Sequence, residues 1–204
     1  FLINEMNNDP LLIIDNNEII DNNDKYLNFS TLINKEKTIE NPEDTCEYDV
    51  AFWLYSSGST GSPKGTLHIH KSLLATANTY AKNIIKINNN DICFSAAKLF
   101  FAYGLGNALT FPMSVGATSI LMSDRSTVES VTKIIKKYSV SLYFGVPTLY
   151  AALLNSNIRK NDFKSLRLSV SAGEALPAHL CQKWSDLFDT KVLDGIGSTE
   201  MLHI

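Results

Sequence analysis

Apolar and polar positions along this chain fall into runs whose period changes from segment to segment. Leu11-Leu12-Ile13-Ile14 is an apolar run between polar turn-formers and reads as a buried strand. Ten of the protein's 19 asparagines fall in the first 41 residues, where glycine is absent. Residues 1–48 therefore read as a poorly patterned segment with one strand. Val50-Ala51-Phe52-Trp53-Leu54-Tyr55 is a continuous apolar run, the mark of a strand covered on both faces. Beyond it Leu73, Ala77, Tyr80, Ala81, Ile84 and Ile85 share one helix face.

Strand-like and helix-like segments alternate from there. Ile92–Ser95, Thr118–Met122, Leu142–Phe144, Leu168–Val170 and Lys191–Leu193 are the strand candidates. Val128, Val131, Ile134, Ile135 and Tyr138 recur at helical spacing after Ser126 and Glu129, which have the spacing of a capping box. Pro147 opens another helix, and Leu180, Cys181, Trp184, Leu187 and Phe188 trace a further helix face. This rhythm predicts an α/β fold, a mainly parallel sheet with helices on both faces.

Composition narrows the function. Eighteen basic against 21 acidic residues, with no basic run longer than Lys136–Lys137, argue against nucleic-acid or membrane-surface partners. No apolar run approaches the ~20 residues of a membrane span. Cys46, Cys93 and Cys181 are too few and too widely spaced for a disulfide framework or zinc site, and predict a reducing, cytoplasmic setting. The start at Phe1, with no basic and apolar leader, reads as a piece of a longer chain rather than a signal peptide.

All ten glycines lie at or beyond position 58, and most cluster in four loops after strand candidates, where α/β sheets bind ligands. Tyr55-Ser56-Ser57-Gly58-Ser59-Thr60-Gly61-Ser62-Pro63-Lys64-Gly65 offers backbone N–H groups, hydroxyls and one mobile cation to an anion. It is not a P-loop, because Pro63 stands where the second glycine of that pattern belongs. Asp194-Gly195-Ile196-Gly197-Ser198-Thr199-Glu200 places one carboxylate after a glycine-rich turn, enough to share a Mg²⁺ ion with phosphate and water. The remaining two are the βα turn Ser171–Pro177 and the aromatic segment Ala96–Asn107. His68 and His70 would share a face in a strand but have no third metal ligand nearby.

The Tyr55–Gly65 segment resembles the phosphate-binding signature of the adenylate-forming superfamily: acyl-CoA synthetases, luciferases and peptide-synthetase adenylation domains. The resemblance implies that Ser57, Gly58, Ser59, Thr60, Gly61 and Lys64 grip the β- and γ-phosphates of ATP. Asp194–Glu200 is similar to the second signature of that superfamily, aromatic-Gly-x-Thr-Glu. By that resemblance Thr199 meets the α-phosphate and Glu200 supports Mg²⁺, making Lys64, Thr199 and Glu200 the catalytic set. Ile196 replaces the aromatic residue that lies against adenine in many members, beside Asp194 and Gly195. Ala172, Gly173 and Glu174 correspond to the adenine-side wall.

In the aromatic segment many members read Pro-x-aromatic-His-x-x-Gly, and this chain has Lys98 for the Pro and Phe101 for the His. With Asp194–Ile204, that segment is similar to benzoate-CoA and hydroxybenzoate-CoA ligases, and the resemblance runs from about Ala51 to Ile204. It implies a partial N-terminal domain of acyl-CoA synthetase type, with residues 49–204 as its ATP- and acyl-binding portion. Family members continue past the Thr-Glu signature into a hinge and a small C-terminal lid domain. The implied reaction joins an aromatic acid to AMP from ATP and then to coenzyme A. Phe101, Ala102, Tyr103, Gly104, Ile196 and His203 would line the acyl pocket. His203 would reach it if a helix starts at Thr199, and it and Tyr103 are the candidates to meet a ring hydroxyl. Two other readings stay open: an aryl-acid adenylating enzyme that loads a carrier protein, and a non-catalytic nucleotide-binding module.

Overall fold

Strand-forming runs in this chain differ in what their two faces meet. The computed structural model describes residues 12–14, 26–35, 41–57 and 61–204, which divide into two units at Asp44 and Thr45. In the first unit β1 (Leu12–Ile14) pairs in parallel with β2 (Tyr26–Asn28), Leu12 opposite Tyr26. Helix α1 (Phe29–Lys35) follows at once. Asn28 caps it, its Oδ1 accepting from the Thr31 N–H at 3.0 Å. The pattern predicts one strand here; the described residues of the unit form two strands and a helix, and the three-residue strand has a paired neighbour.

In the second unit β3 (Val50–Ser57) runs antiparallel to β4 (Pro63–Ile69), with Ser56 opposite Lys64. The expectation that this apolar run is covered on both faces is wrong. Its only strand partner among the described residues is β4, so burial alternates and Trp53 and Tyr55 stay 56% and 66% exposed. Pro63, Lys64 and Gly65, read from sequence as loop, are paired strand residues. Helix α2 (His70–Thr76) continues as a π-helix over Ala77–Ile85. Ala77, Tyr80, Ala81 and Ile85 are buried, but the wider π turn swings Ile84 out to solvent, contrary to its predicted place on the inner face.

Five parallel strands form the main sheet: β5 (Ile92–Ser95), β6 (Thr118–Ile120), β7 (Leu142–Gly145), β8 (Leu168–Ser171) and β9 (Lys191–Asp194), in the order β6-β5-β7-β8-β9. Between β5 and β6 lie α3 (Ala102–Leu105), a π-helical Gly106–Thr110 and α4 (Phe111–Val115). Helices α5 (Val128–Tyr138), α6 (Pro147–Leu154) and α7 (Ala178–Phe188) make the later crossovers. Strand residues alternate between two cores. Phe94 and Tyr143 pack with Tyr150, Phe163 and Trp184 on one face. Cys93, Leu142, Phe144 and Val170 pack with Ala77, Ile85 and Phe111 on the other. Trp184 is fully buried and spends its only donor on Ser169 Oγ at 3.2 Å. The architecture is therefore the predicted α/β one, a parallel sheet covered on both faces by helices.

Helix α5 is capped one residue later than the spacing suggests. Thr127 Oγ1 accepts from the Ser130 N–H at 3.2 Å and Ser130 Oγ from the Thr127 N–H at 2.9 Å. Ser126 instead donates to the Ala96 carbonyl at 3.0 Å. At the N-terminal edge of the sheet the Asp91 carboxylate accepts from Arg167 Nε and Nη2 at 2.8 and 2.6 Å, from Ser141 Oγ at 2.8 Å and from the Asn88 N–H at 2.9 Å. Arg167 also donates to the Ile85 and Lys86 carbonyls, closing the C-terminal end of the π-helix.

Candidate functional site

The loops that leave the C-terminal ends of β5, β8 and β9 converge, and three adjoining cavities open between them. A cavity of about 200 Å³ lies between Phe101, Tyr103, Ala172, Thr199, His203 and Ile204. A second, of about 520 Å³, shares Phe101, Tyr103, Ala172 and Gly173 and extends toward Lys98, Ser126, Val146 and Leu149. The third, of about 390 Å³, is bounded by Gly173, Glu174, Ala175, Asp194, Gly195, Ile196 and Gly197.

The β3–β4 hairpin reaches the same loops. His68 stacks on Phe52 at 5.3 Å and donates from Nε2 to the Thr199 carbonyl at 2.8 Å, which ties β4 to the Gly-Ser-Thr-Glu turn. Exposed Glu200 has its carboxyl held below the usual range. The main causes are its own backbone N–H and the Ser198 hydroxyl, followed by the Ser56 hydroxyl and the Lys64 charge. Ser56 and Lys64 are cross-strand partners in the hairpin stem. Ser57 and Gly61 flank the tip, Gly61 in the left-handed region at φ +87°. Gly58, Ser59 and Thr60 lie outside the described residues.

Residues 199–202 form a turn, not the helix that sequence spacing allows for, and left-handed Leu202 (φ +67°) delivers His203 to the cavity wall. His203 is 3% exposed, lies 4.5 to 5.5 Å from the rings of Phe111, Tyr80 and Tyr103, and has its pKa pushed down to about 4 by burial. It is neutral at physiological pH. Its Nε2 lies 3.0 Å from Asn107 Oδ1 and 3.3 Å from the Tyr103 carbonyl. A Cβ at Gly106 would sit 2.3 Å from His203 Cδ2, so only glycine there admits the ring. The Tyr103 hydroxyl donates to the Val170 carbonyl at 3.1 Å, with Gly145 O at 3.2 Å, at the ends of β8 and β7. Lys98, at the family's Pro position, spends its ammonium on the Met122, Ser123 and Asp124 carbonyls and so pins the loop beside the second cavity.

Of the residues singled out from sequence, Phe101, Ala102, Tyr103, Ala172, Gly173, Glu174, Asp194, Gly195, Thr199 and His203 line these cavities, whereas Ser57, Gly61, Lys64 and Glu200 line none of them. Ile196 is 90% exposed and borders the third cavity, not the 200 Å³ one that holds Tyr103 and His203: β9 ends two residues earlier and its loop leaves on the Glu174 side. Gly104 lines none of these cavities; it packs where a Cβ would meet the Lys98 carbonyl at 2.0 Å. Asp194 takes a supporting part, accepting from the Leu176 N–H at 3.0 Å and so joining the loops after β8 and β9. His70 opens α2 while His68 lies in β4, so the two do not share a strand face. No group of three potential metal ligands occurs among the described residues. Asn107 was invisible to motif reasoning; its only signal is its place four residues after Tyr103 on one helical face.

Comparison with known proteins bears on this arrangement. A benzoate–CoA ligase of Thauera aromatica is 53% identical over 164 residues, 80% of this chain and 30% of its own length. A 4-hydroxybenzoate–CoA/benzoate–CoA ligase of Rhodopseudomonas palustris is 44% identical over 180 residues, 87% of this chain and 33% of its own. The crystal structure of a benzoate CoA ligase from Burkholderia xenovorans LB400 superposes with a TM-score of 0.80 at 48% identity, covering 86% of this chain and 35% of that one. The chain thus spans about a third of the length of the relatives it matches. The AMP-binding enzyme family profile matches residues 6–204, and this chain belongs to that family.

Proposed function

We propose that the protein containing this chain activates an aromatic carboxylate with ATP and transfers the acyl group to coenzyme A. A carboxylate oxygen attacks the α-phosphorus, pyrophosphate leaves, and the CoA thiol then displaces AMP to form the thioester. The observation that carries this reading is the tie between the β3–β4 hairpin and the Thr199 turn, through His68 and the Thr199 carbonyl, at the loops where three contiguous cavities open. Phosphoryl chemistry of this kind needs charge neutralisation and in-line placement more than covalent catalysis. Lys64 and the hydroxyl-rich hairpin would hold the β- and γ-phosphates, and Thr199 the α-phosphate. Glu200 is a single exposed carboxylate whose pKa is lowered by its own backbone N–H and the Ser198 hydroxyl. That donor fits Mg²⁺, which takes few protein ligands and completes its shell with phosphate and water.

The third cavity, with Ile196 and Glu174 on its rim, suits the nucleotide base; the small cavity suits a flat ring; the second leaves room for a thiol to approach past Phe101. Three free thiols fit a reducing, cytoplasmic setting. The test is pyrophosphate exchange by the full-length protein with benzoate or hexanoate, followed by thioester formation with CoA. Benzoate-dependent exchange and a CoA-dependent product are expected. A higher kcat/KM for hexanoate sinks the aromatic assignment, and exchange without CoA-dependent product points to a carrier protein as acceptor.

A further inference from the structure

Around Tyr103 and His203, the aromatic wall of the 200 Å³ cavity, the side-chain polar atoms are either engaged with one another or sealed from solvent. Tyr103 donates its hydroxyl to the carbonyl ends of β8 and β7. The His203 Nε2 has two neighbours, and one of them, the Tyr103 carbonyl, can only accept. Nε2 therefore carries the hydrogen, and Asn107 turns its oxygen, not its nitrogen, to the same edge. Asn107 is fully buried, and its Nδ2, the His203 Nδ1 and the Tyr80 hydroxyl have no partner and no solvent contact. A ring hydroxyl, which is no smaller than water at its contact surface, reaches none of them.

We infer that Asn107 is a positioning residue that makes this cavity selective for an unsubstituted aromatic ring: it holds the hydrogen-bonding edge of His203 away from the bound acid, so a ring hydroxyl finds no partner. This rests on the aryl-acid reading above. The cavity's other polar side chains, Ser198 and Thr199, belong to the turn that faces the phosphates, so the carboxylate takes that end and the ring's far edge meets Tyr103 and His203. The neutrality of His203 supports the inference, because an uncharged imidazole is a flat wall that asks nothing of an apolar ring. Gly106 belongs to the same device, since it lets the helix carrying Asn107 come within hydrogen-bond reach of the imidazole.

The test compares benzoate with 3- and 4-hydroxybenzoate in pyrophosphate release by the full-length protein. An unmet buried hydroxyl predicts that kcat/KM favours benzoate by roughly 10- to 100-fold. In Asn107→Leu the ratio should fall below about threefold while the KM for ATP is unchanged. Asn107→Asp, which keeps an acceptor for Nε2–H, should restore it. Nitrogen-15 spectra of His203 should show one tautomer, Nε2–H, in the wild type and a mixture in Asn107→Leu. If the leucine variant fails to fold, Asn107→Ala is read in the same way. Equal use of the three acids by the wild type overturns the inference, as does an unchanged ratio in the variants that lack the acceptor. Pyrophosphate release with none of the three overturns the aryl-acid reading and this inference with it, which tells that failure apart from lost selectivity.

Discussion

The two edges of the five-stranded sheet treat polar groups in opposite ways. At the N-terminal edge Asp91, Ser141 and Arg167 satisfy one another and four backbone groups, and Thr190 Oγ1 is the one orphan. At the C-terminal edge Ser95 Oγ, Ser171 Oγ, Asn107 Nδ2, His203 Nδ1 and the Tyr80 and Tyr143 hydroxyls are buried without partners, among glycines that bring backbones close. A buried polar atom left unpaired costs about 1–3 kcal/mol, so an edge that tolerates six is not organised for stability alone. The saturated edge holds the sheet together. The unsaturated edge keeps donors and acceptors in place where the cavities open.

The largest effect should come from breaking the saturated edge. Asp91→Asn leaves a guanidinium without its carboxylate, and denaturant unfolding should report a loss of about 3 kcal/mol, since breaking a buried pair costs that much even with a half-exposed Arg partner. The pH dependence follows from the Asp91 pKa. Burial pushes it up, but Arg167, the Asn88 N–H and Ser141 outweigh that and hold it below its ordinary value. Its stabilisation is therefore present above the unfolded carboxylate pKa, about 3.9, and is lost as pH falls through the lower folded value. The variant should show a shallower loss of stability in that acid window, and steeper acid sensitivity than wild type contradicts the assignment.

The same contrast explains what the sequence made legible. Strands β7 and β8 were readable because both faces are buried, and an apolar run has only one good fate there. β3 carries a similar run, but its burial depends on which strand pairs with it, and the polar β4 gives no hydrophobic signal. The cap of α5 slipped by one because Ser126-Thr127-Val128-Glu129-Ser130 offers two registers and only the Ala96 carbonyl decides between them. Lys64, Thr199, Glu200 and His203 could be nominated from sequence because they stand in local motifs. Asn107 and Arg167 act through partners 96 and 76 residues away, and such pairings have no signature along the chain.

The next effect belongs to the other edge and to activity rather than folding. Lys64 is exposed on β4 and supports no core contact, so Lys64→Ala should leave unfolding free energy within about 0.5 kcal/mol of wild type. On the proposed reading it removes a charge-assisted contact to phosphate in the full-length protein, and pyrophosphate exchange should fall about 10- to 100-fold. A variant that unfolds easily but exchanges normally would place the hairpin among the structural elements and remove the contrast.

The smallest effect is also the sharpest comparison, because the same substitution is made at both edges. Ser141 Oγ donates to Asp91 Oδ1 at 2.8 Å and accepts from the Ile92 N–H at 2.9 Å, so Ser141→Ala strands one donor and deprives one carboxylate. It should destabilise by about 1–2 kcal/mol, and because the loss lies far from the cavities, exchange per folded molecule should not change. Ser171 Oγ, at the C-terminal end of β8, is fully buried with no partner. Ser171→Ala deletes an unpaid desolvation and adds no cavity larger than one oxygen, so stability should be unchanged or rise by up to about 1 kcal/mol. Its neighbour Ala172 lines two of the cavities, so the same change should lower exchange in the full-length protein if the hydroxyl is held for a ligand. Parallel unfolding and exchange measurements decide it. Equal destabilisation by the two alanines would mean that Ser171 has a structural partner, and that the edges differ in sequence but not in purpose.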